Sequence, residues 1–230
     1  MVEALRAGRT LERVLIAQGA AGPRLQEIID LCRTASIPVR FEARSALDRL
    51  AGGAAHQGVV ATGAVHRYAA LEDVAAGAQL LVVLDGVEDP HNLGAIIRTA
   101  NAAGANGVII PERRAVGLTE IVAKAAAGAL EHLPVVRVGN VNRALEQLKK
   151  LGFWIYGLDE RGSVSYDQAD FASPAVLVLG GEGEGLRHQV REHCDLIIRI
   201  HTAGQISSLN VSVAAGVALF EWRRRKTRQT

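Results

Sequence analysis

The sequence predicts an α/β protein with a parallel sheet carried by a C-terminal domain and a small α/β domain in front of it. Three observations carry that expectation. From Gln79 onward, short apolar runs alternate with stretches of helical period, the pattern of strands joined by helical crossovers. The first run, Leu80–Leu84, is apolar at every position, as in a strand buried on both faces. Three loops rich in Gly, Asn or Ser each follow an expected strand, where ligands collect in open α/β sheets.

The elements follow in chain order. Leu11–Ala17 is a strand, and Pro23–Ala35 is a helix on the spacing of Leu25, Ile28, Ile29, Leu31 and Cys32. Ile37–Phe41 is a short strand, Ser45–Leu50 a short helix and Val59–Thr62 a strand. Residues 1–70 make the first domain; 67–78 show no strand pattern, and 71–78 serve as a linker to the second domain, 79–230. There, Asn92–Ala103 is a helix, and Gly107–Ile110 a strand ended by Pro111. Leu118–Leu130 is an Ala-rich helix, Val135–Val138 a strand, and Asn140–Leu151 a helix closed by Gly152. Phe153–Leu158 and Ala175–Leu179 are strands, Gly185–His193 a helix and Leu196–Ile200 the last strand. Ser207–Arg225 is a long helix. No internal repeat is visible.

Composition narrows the function classes. The chain has 230 residues, 49% of them hydrophobic and 22% charged, which excludes a disordered chain. Aromatics at 4% argue against a surface paved with stacking rings. The net charge of +2 divides into +3 over residues 1–70, −6 over 71–222 and +5 over 223–230. Such asymmetry fits a polyanionic partner, and equally a solvated tail on an acidic body. Cys32 and Cys194 stand far apart with no disulfide or metal spacing, so a reducing compartment is expected. The N-terminus has no apolar signal core and no run is long enough to span a bilayer, so the expected location is the cytoplasm, with no membrane partner.

The first loop runs from Asp85 to Arg98. Asp89-Pro90 starts a turn and Asn92 suits a helix N-cap. Arg98 by itself reads as a solvated or ion-paired side chain. Asp85, Glu88, Asp89 and His91 have no diagnostic metal spacing, and no metal is expected. The second loop, Gly180-Gly181-Glu182-Gly183-Glu184-Gly185-Leu186, holds four glycines in six positions, more than a tight turn needs. It matches neither the dinucleotide fingerprint nor the phosphate loop, and its two glutamates would repel a polyphosphate. A neutral or cationic ligand suits it better. In the third loop, Ile200 to Ser212, Ser207 or Ser208 could cap the last helix, whereas Asn210 is a poor residue for a helix interior.

Taken together and in this order, the three loops resemble the signature motifs of the SpoU (TrmH) family, the RNA ribose 2′-O-methyltransferases of the SPOUT superfamily. The motifs are Asn92-Leu93-Gly94-Ala95-Ile96-Ile97-Arg98-Thr99-Ala100, Leu179 to Leu186, and Ser207-Ser208-Leu209-Asn210-Val211-Ser212-Val213-Ala214. The segment ending in His56-Gln57-Gly58-Val59-Val60-Ala61 is similar to the ribosomal-protein-like RNA-binding extension of the rRNA guanosine methyltransferase branch. Where that branch opens its third motif with Ile-Pro-Met, this chain has Ile200-His201-Thr202.

The resemblance implies an S-adenosylmethionine-dependent enzyme with a trefoil-knotted C-terminal segment, acting on a ribose, a guanosine of 23S rRNA, as a homodimer. It implies that Gly180, Gly181, Gly185, Ile200 and Leu209 hold the cofactor, and that Asn92, Arg98, Glu182, Ser208 and Asn210 form the catalytic cluster. A tRNA methyltransferase and an inactive RNA-binding assembly factor are the alternatives. The apolar face of the last helix (Leu209, Val213, Val217, Phe220) permits a dimer but is expected to lie mostly in the core.

Overall fold

The computed structural model describes residues 1–6, 11–63, 68–181, 185–205 and 208–229. The chain divides into two compact units, Met1–His66 and Arg67–Thr230.

In the first unit, β1 (Leu11–Ala17) lies between β2 (Val39–Glu42), which is parallel to it, and β3 (Val59–Gly63), which is antiparallel. Successive side chains of a strand point to opposite faces. Val14 and Ile16 therefore pack with Ile28 and Cys32 of α2 (Pro23–Thr34) and with Leu5 of α1 (Val2–Arg6). Leu15 and Ala17 pack on the other face with Leu47 of α3 (Arg44–Leu50). Burial raises the pKa of the Cys32 thiol, which behaves as a small core residue.

The second unit is built on a seven-stranded sheet, all of whose pairs are parallel, in the order β6-β5-β4-β9-β7-β10-β8. These strands are β4 (Leu80–Asp85), β5 (Gly107–Pro111), β6 (Val135–Val138), β7 (Trp154–Leu158), β8 (Val164–Ser165), β9 (Ala175–Gly180) and β10 (Leu196–Arg199). The central strands β4 and β9 are buried at every residue. Leu80, Val82 and Leu84 face one layer, made by α5 (Pro90–Ala103), α6 (Glu120–Ala126) and α9 (Val211–Gln229). Leu81 and Val83 face the other, made by α4 (Leu71–Ala75), α7 (Val141–Lys150) and α8 (His188–Glu192).

Several expectations change here. Residues 71–78, expected as a linker, hold α4, whose Leu71, Val74 and Ala75 are buried in this sheet's core. The expected helix over Leu118–Leu130 stops at Ala126, because Ala127 (φ 49°) and Gly128 (φ 91°) turn left-handed; a 3-10 turn over Ala129–Glu131 follows. The helix expected over Gly185–His193 is confined to His188–Glu192, since Gly185 is also left-handed at φ 65°. The edge strand β8 has too few residues to show a period. Among the described residues no helix is long and apolar enough to cross a membrane.

Candidate active site

β4, β9 and β7 end on the same side of the sheet, and their following loops meet there. Two helix starts set the geometry. Asp89, not Asn92, caps α5: its Oδ1 accepts from the N–H of His91 at 2.6 Å and of Asn92 at 3.2 Å, with Pro90 in the first turn. Asn92 is thereby placed inside the helix, only 8% exposed. The last helix starts at Val211 and its cap is Asn210, not Ser208; Ser207 lies outside the described residues. Asn210 Oδ1 accepts from Ser212 N at 2.9 Å, Val213 N at 3.4 Å and Ser212 Oγ at 2.6 Å. An asparagine that looked misplaced inside a helix is a favoured residue at its cap. Its Nδ2 is left to donate to Asn92 Oδ1 at 3.0 Å, which ties the first loop to the third.

The glycines are required by close main-chain approach. A Cβ on Gly180 would lie 2.1 Å from the carbonyl carbon of Gly185, and one on Gly181 would lie 2.2 Å from the carbonyl oxygen of Gly86. No side chain fits either gap. Gly181 N donates to Asp85 O at 2.8 Å, continuing the β4–β9 ladder into the loops. The buried Asp85 carboxylate accepts from Arg187 Nε at 2.7 Å, again from Arg187 Nη2, and from Arg187 N at 3.3 Å. Asp85 and Asp89 therefore have structural partners. Among the described residues no three His, Cys, Asp or Glu side chains are grouped to hold a metal ion.

Beside these loops lies a cavity of about 480 Å³. All five residues expected at the cofactor line it (Gly180, Gly181, Gly185, Ile200 and Leu209), with Ser208 and Asn210 of the expected catalytic cluster. Thr202, of the divergent third-motif opening, lines it too. Asn92 reaches it through Asn210. Arg98 is not in its lining; it is exposed on α5 and has no hydrogen bond or ion pair among the described residues. Glu182 lies outside the described residues.

Sequence reasoning missed Asp159, Glu160 and Arg161, which follow β7 and line the same cavity. The signal was present: two carboxylates directly after the carboxyl end of an expected strand, where this fold class binds ligands. Asp159 is 5% exposed. Burial pushes its pKa up, but Arg161 Nε (2.7 Å) and Nη2 (2.8 Å), with the N–H groups of Arg161 (3.0 Å) and Leu186 (3.1 Å), outweigh that and hold the carboxyl below the usual range. A Cβ on Gly185 would lie 2.9 Å from Asp159 Oδ2, so the pair also fixes the end of the glycine loop. Burial pushes the Cys194 thiol up to about 12, which leaves it protonated and unreactive at neutral pH.

The site can therefore receive a compact ligand with apolar faces, main-chain contacts and some positive charge. Leu158, Leu179, Ile200 and Leu209 supply the apolar walls, glycine backbone supplies close approach, and Glu160 supplies negative charge.

Comparison with known proteins gives consistent results. The model of the SpoU rRNA Methylase family matches residues 79–220. The model described as RNA 2′-O ribose methyltransferase substrate binding matches residues 2–69. The 23S rRNA (guanosine-2′-O-)-methyltransferase RlmB of Xylella fastidiosa (strain 9a5c) is 47% identical over 220 residues, covering 93% of this chain and 88% of the relative. The AdoMet-bound rRNA methyltransferase of Sinorhizobium meliloti superposes with a TM-score of 0.83 at 27% identity, over 97% of this chain and 84% of that one. The A. aeolicus TrmH/SpoU tRNA modifying enzyme superposes with a TM-score of 0.61 at 29% identity, over 69% of this chain and 83% of its own.

Proposed function

We infer the reaction from the premise that this chain belongs to the SpoU rRNA Methylase family. It is an RNA 2′-O-methyltransferase with S-adenosylmethionine as methyl donor, and its substrate is a ribose, a guanosine, of 23S rRNA. The observation that carries this reading is the single cavity lined by residues of the second and third loops and tied to the first by Asn210–Asn92. Coverage favours rRNA over tRNA: the rRNA enzymes align over both units, the tRNA enzyme over about two thirds of the chain. The first unit is accordingly proposed to bind the RNA, as the ribosomal-protein-like extension of the family would.

The donor fits the residues present. Its adenine and methionine chain would lie against Leu158, Leu179, Ile200 and Leu209 and the backbone of Gly180, Gly181 and Gly185, with Glu160 near its positive charge. When bound, it supplies an electrophilic methyl group on a sulfonium. The protein's own residues must orient the ribose hydroxyl and relieve the charge that develops as its proton leaves. Ser208 and the Asn210–Asn92 pair are the groups proposed to hold the ribose. A guanidinium is a poor base, so the proposed part of Arg98 is that of a cation on an RNA phosphate and on the developing alkoxide. Glu182 is proposed, on the family resemblance, to orient that arginine.

Two finer features belong to the same proposal. The segment from β9 to α9 is read as the trefoil knot of the superfamily. Its support is β9 entering between β4 and β7 late in the chain, with α9 returning to pack on α5. A homodimer is proposed as well. The face of α9 expected in the core is open instead: Val213 is 52% and Phe220 50% exposed, with Val217 half-buried, whereas Leu209 precedes the helix and lines the cofactor cavity. A second copy on that face would also give Arg98 a route to a cavity it does not line in its own chain.

The test is transfer of labelled methyl from S-adenosylmethionine to a 23S rRNA transcript, with mass-spectrometric mapping of the product. Arg98→Ala should lower the rate by about 100-fold or more while cofactor affinity stays unchanged. Cofactor binding by folded protein without methylation of any rRNA would point instead to an assembly factor. A product mapped to tRNA would move the substrate to that class.

A further inference from the structure

A second cleft of about 480 Å³ opens at the carboxyl ends of β5 and β6, on the same side of the sheet as the cofactor cavity, and shares no lining residue with it. Arg113 and Arg114, in the turn after β5, line one side. Asn140 and Asn142, at the start of α7, line another, and Arg187 and His188, at the start of α8, a third.

Part of the positive charge in this cleft is unspent. Arg113 and Arg114 are exposed and have no hydrogen bond or ion pair among the described residues. Arg187 is committed to Asp85, and His188 lies 3.6 Å from Glu192. Glu112 approaches Gly139 at the rim, so among the described residues Arg113 and Arg114 leave the cleft a positive excess within a body of net −6. The ten-residue helix α7 adds its amino end: Asn140 Oδ1 caps Arg143 N at 3.1 Å, and the N–H groups of Val141 and Asn142 precede any intrahelical acceptor. Asn142 Oδ1 is buried with no donor among the described residues. Unpaired guanidiniums and helix N–H groups suit phosphate. Asn142 Oδ1, with almost no accessible surface, lies out of reach of such a ligand.

We propose that this cleft is a second RNA subsite, in which Arg113 and Arg114, with the amino end of α7, hold backbone phosphate of nucleotides flanking the methylated one. The proposal rests on the RNA methyltransferase reading. The glycine loop links the two cavities: Gly185 lines the first and Arg187, two residues on, lines the second, a separation of at most about 7 Å along the chain. RNA held in the cleft would thus lie on the same rim of the sheet as the cofactor cavity.

The experiment measures binding of the full chain to a 23S rRNA transcript against salt concentration, beside calorimetry with S-adenosylmethionine and methylation by the unaltered protein. Arg113→Ala with Arg114→Ala should weaken RNA binding and lower the salt slope by about 1 to 2, with cofactor affinity unchanged. Arg113→Lys with Arg114→Lys, which keeps the charge, should restore most of the slope and guards against a folding defect in the alanine pair. An unchanged RNA affinity and slope in the alanine pair, with the unaltered protein still methylating, overturns the subsite and leaves the reaction standing. Absence of methylation by the unaltered protein overturns the reaction and the subsite with it. Inorganic phosphate is the remaining arm: binding tighter than about 1 mM would make the cleft a small-anion site and overturn the RNA assignment.

Discussion

Asn210 uses both ends of one carboxamide, capping α9 with its oxygen and reaching Asn92 with its nitrogen. The two duties can be separated. Asn210→Asp keeps a capping acceptor and adds negative charge at a helix start, so thermal stability should hold. It also loses the donor toward Asn92 and sets two acceptors against each other, so methyl transfer should fall about 10-fold or more. Asn210→Ala should lose the cap as well, at about 1 kcal/mol, measurable as a shift in the denaturant midpoint. Full activity in the aspartate variant would show that the Asn92 link is dispensable. At this scale the sequence was informative where residue type is tied to chemistry: Gly180, Gly181, Gly185, Ile200 and Leu209 do meet at one cavity. Its signal for Asp159–Arg161, two carboxylates after a strand, was weak, because a pair made two residues apart has no motif until neighbouring strands are known to end beside it.

At the scale of elements, helix contact explains a motif residue that no chemistry requires. Gly94 lies where α5 crosses α6, and a Cβ there would sit 2.4 Å from Ala125 Cβ and 2.8 Å from the carbonyl oxygen of Val122. Gly94→Ala must push the helices apart, since the obstacle is a backbone oxygen and a methyl with no freedom to swing. The expected loss is about 1–3 kcal/mol in chemical denaturation, although alanine favours helix intrinsically. A neutral result would mean that α6 can slide without cost. The continuous apolar runs of β4 and β9 announced buried strands, and the period of Asn140–Leu151 announced α7, which the structure caps with Asn140. The break after Ala126 was hidden by composition. An alanine run favours helix locally, and the left-handed turn at Ala127 and Gly128 serves the path of the chain into β6. The short elements α4 and β8 exist through packing on the sheet, which no local pattern encodes.

At the scale of the whole molecule, charge and exposed apolar surface take on a different meaning from their sums. The basic C-terminus is no loose tail. Residues to Gln229 belong to α9, where the nearly buried Glu221 takes Arg224 Nε and Nη2 and Arg225 Nε, each at 2.7 Å. Those contacts, Arg224 Nη2 and Nε first, hold the Glu221 carboxyl below the usual range despite its burial. Two of the five basic side chains are therefore committed within the fold. The open face of α9 stands beside it. If that face pairs two copies, Val213→Asp with Phe220→Asp should halve the mass seen by light scattering, from twice the chain mass to once, while helical content is kept. A single-chain mass for the unaltered protein would refute the dimer. The sequence placed that face in the core because helical period shows only that one side of a helix is apolar, not what covers it.

The order of the central sheet has a consequence for the protein's birth. β4 pairs on one side with β5, made soon after it, but its other edge waits for β9, where Leu80 meets Ala175. At about 5–20 residues per second, a ribosome needs on the order of 5–20 s to supply the missing strand. Throughout that interval an apolar edge of Leu and Val stands without its partner, the condition in which strands join the wrong chain. The nascent enzyme should therefore be most in need of a chaperone in the middle of its own translation, rather than at its end.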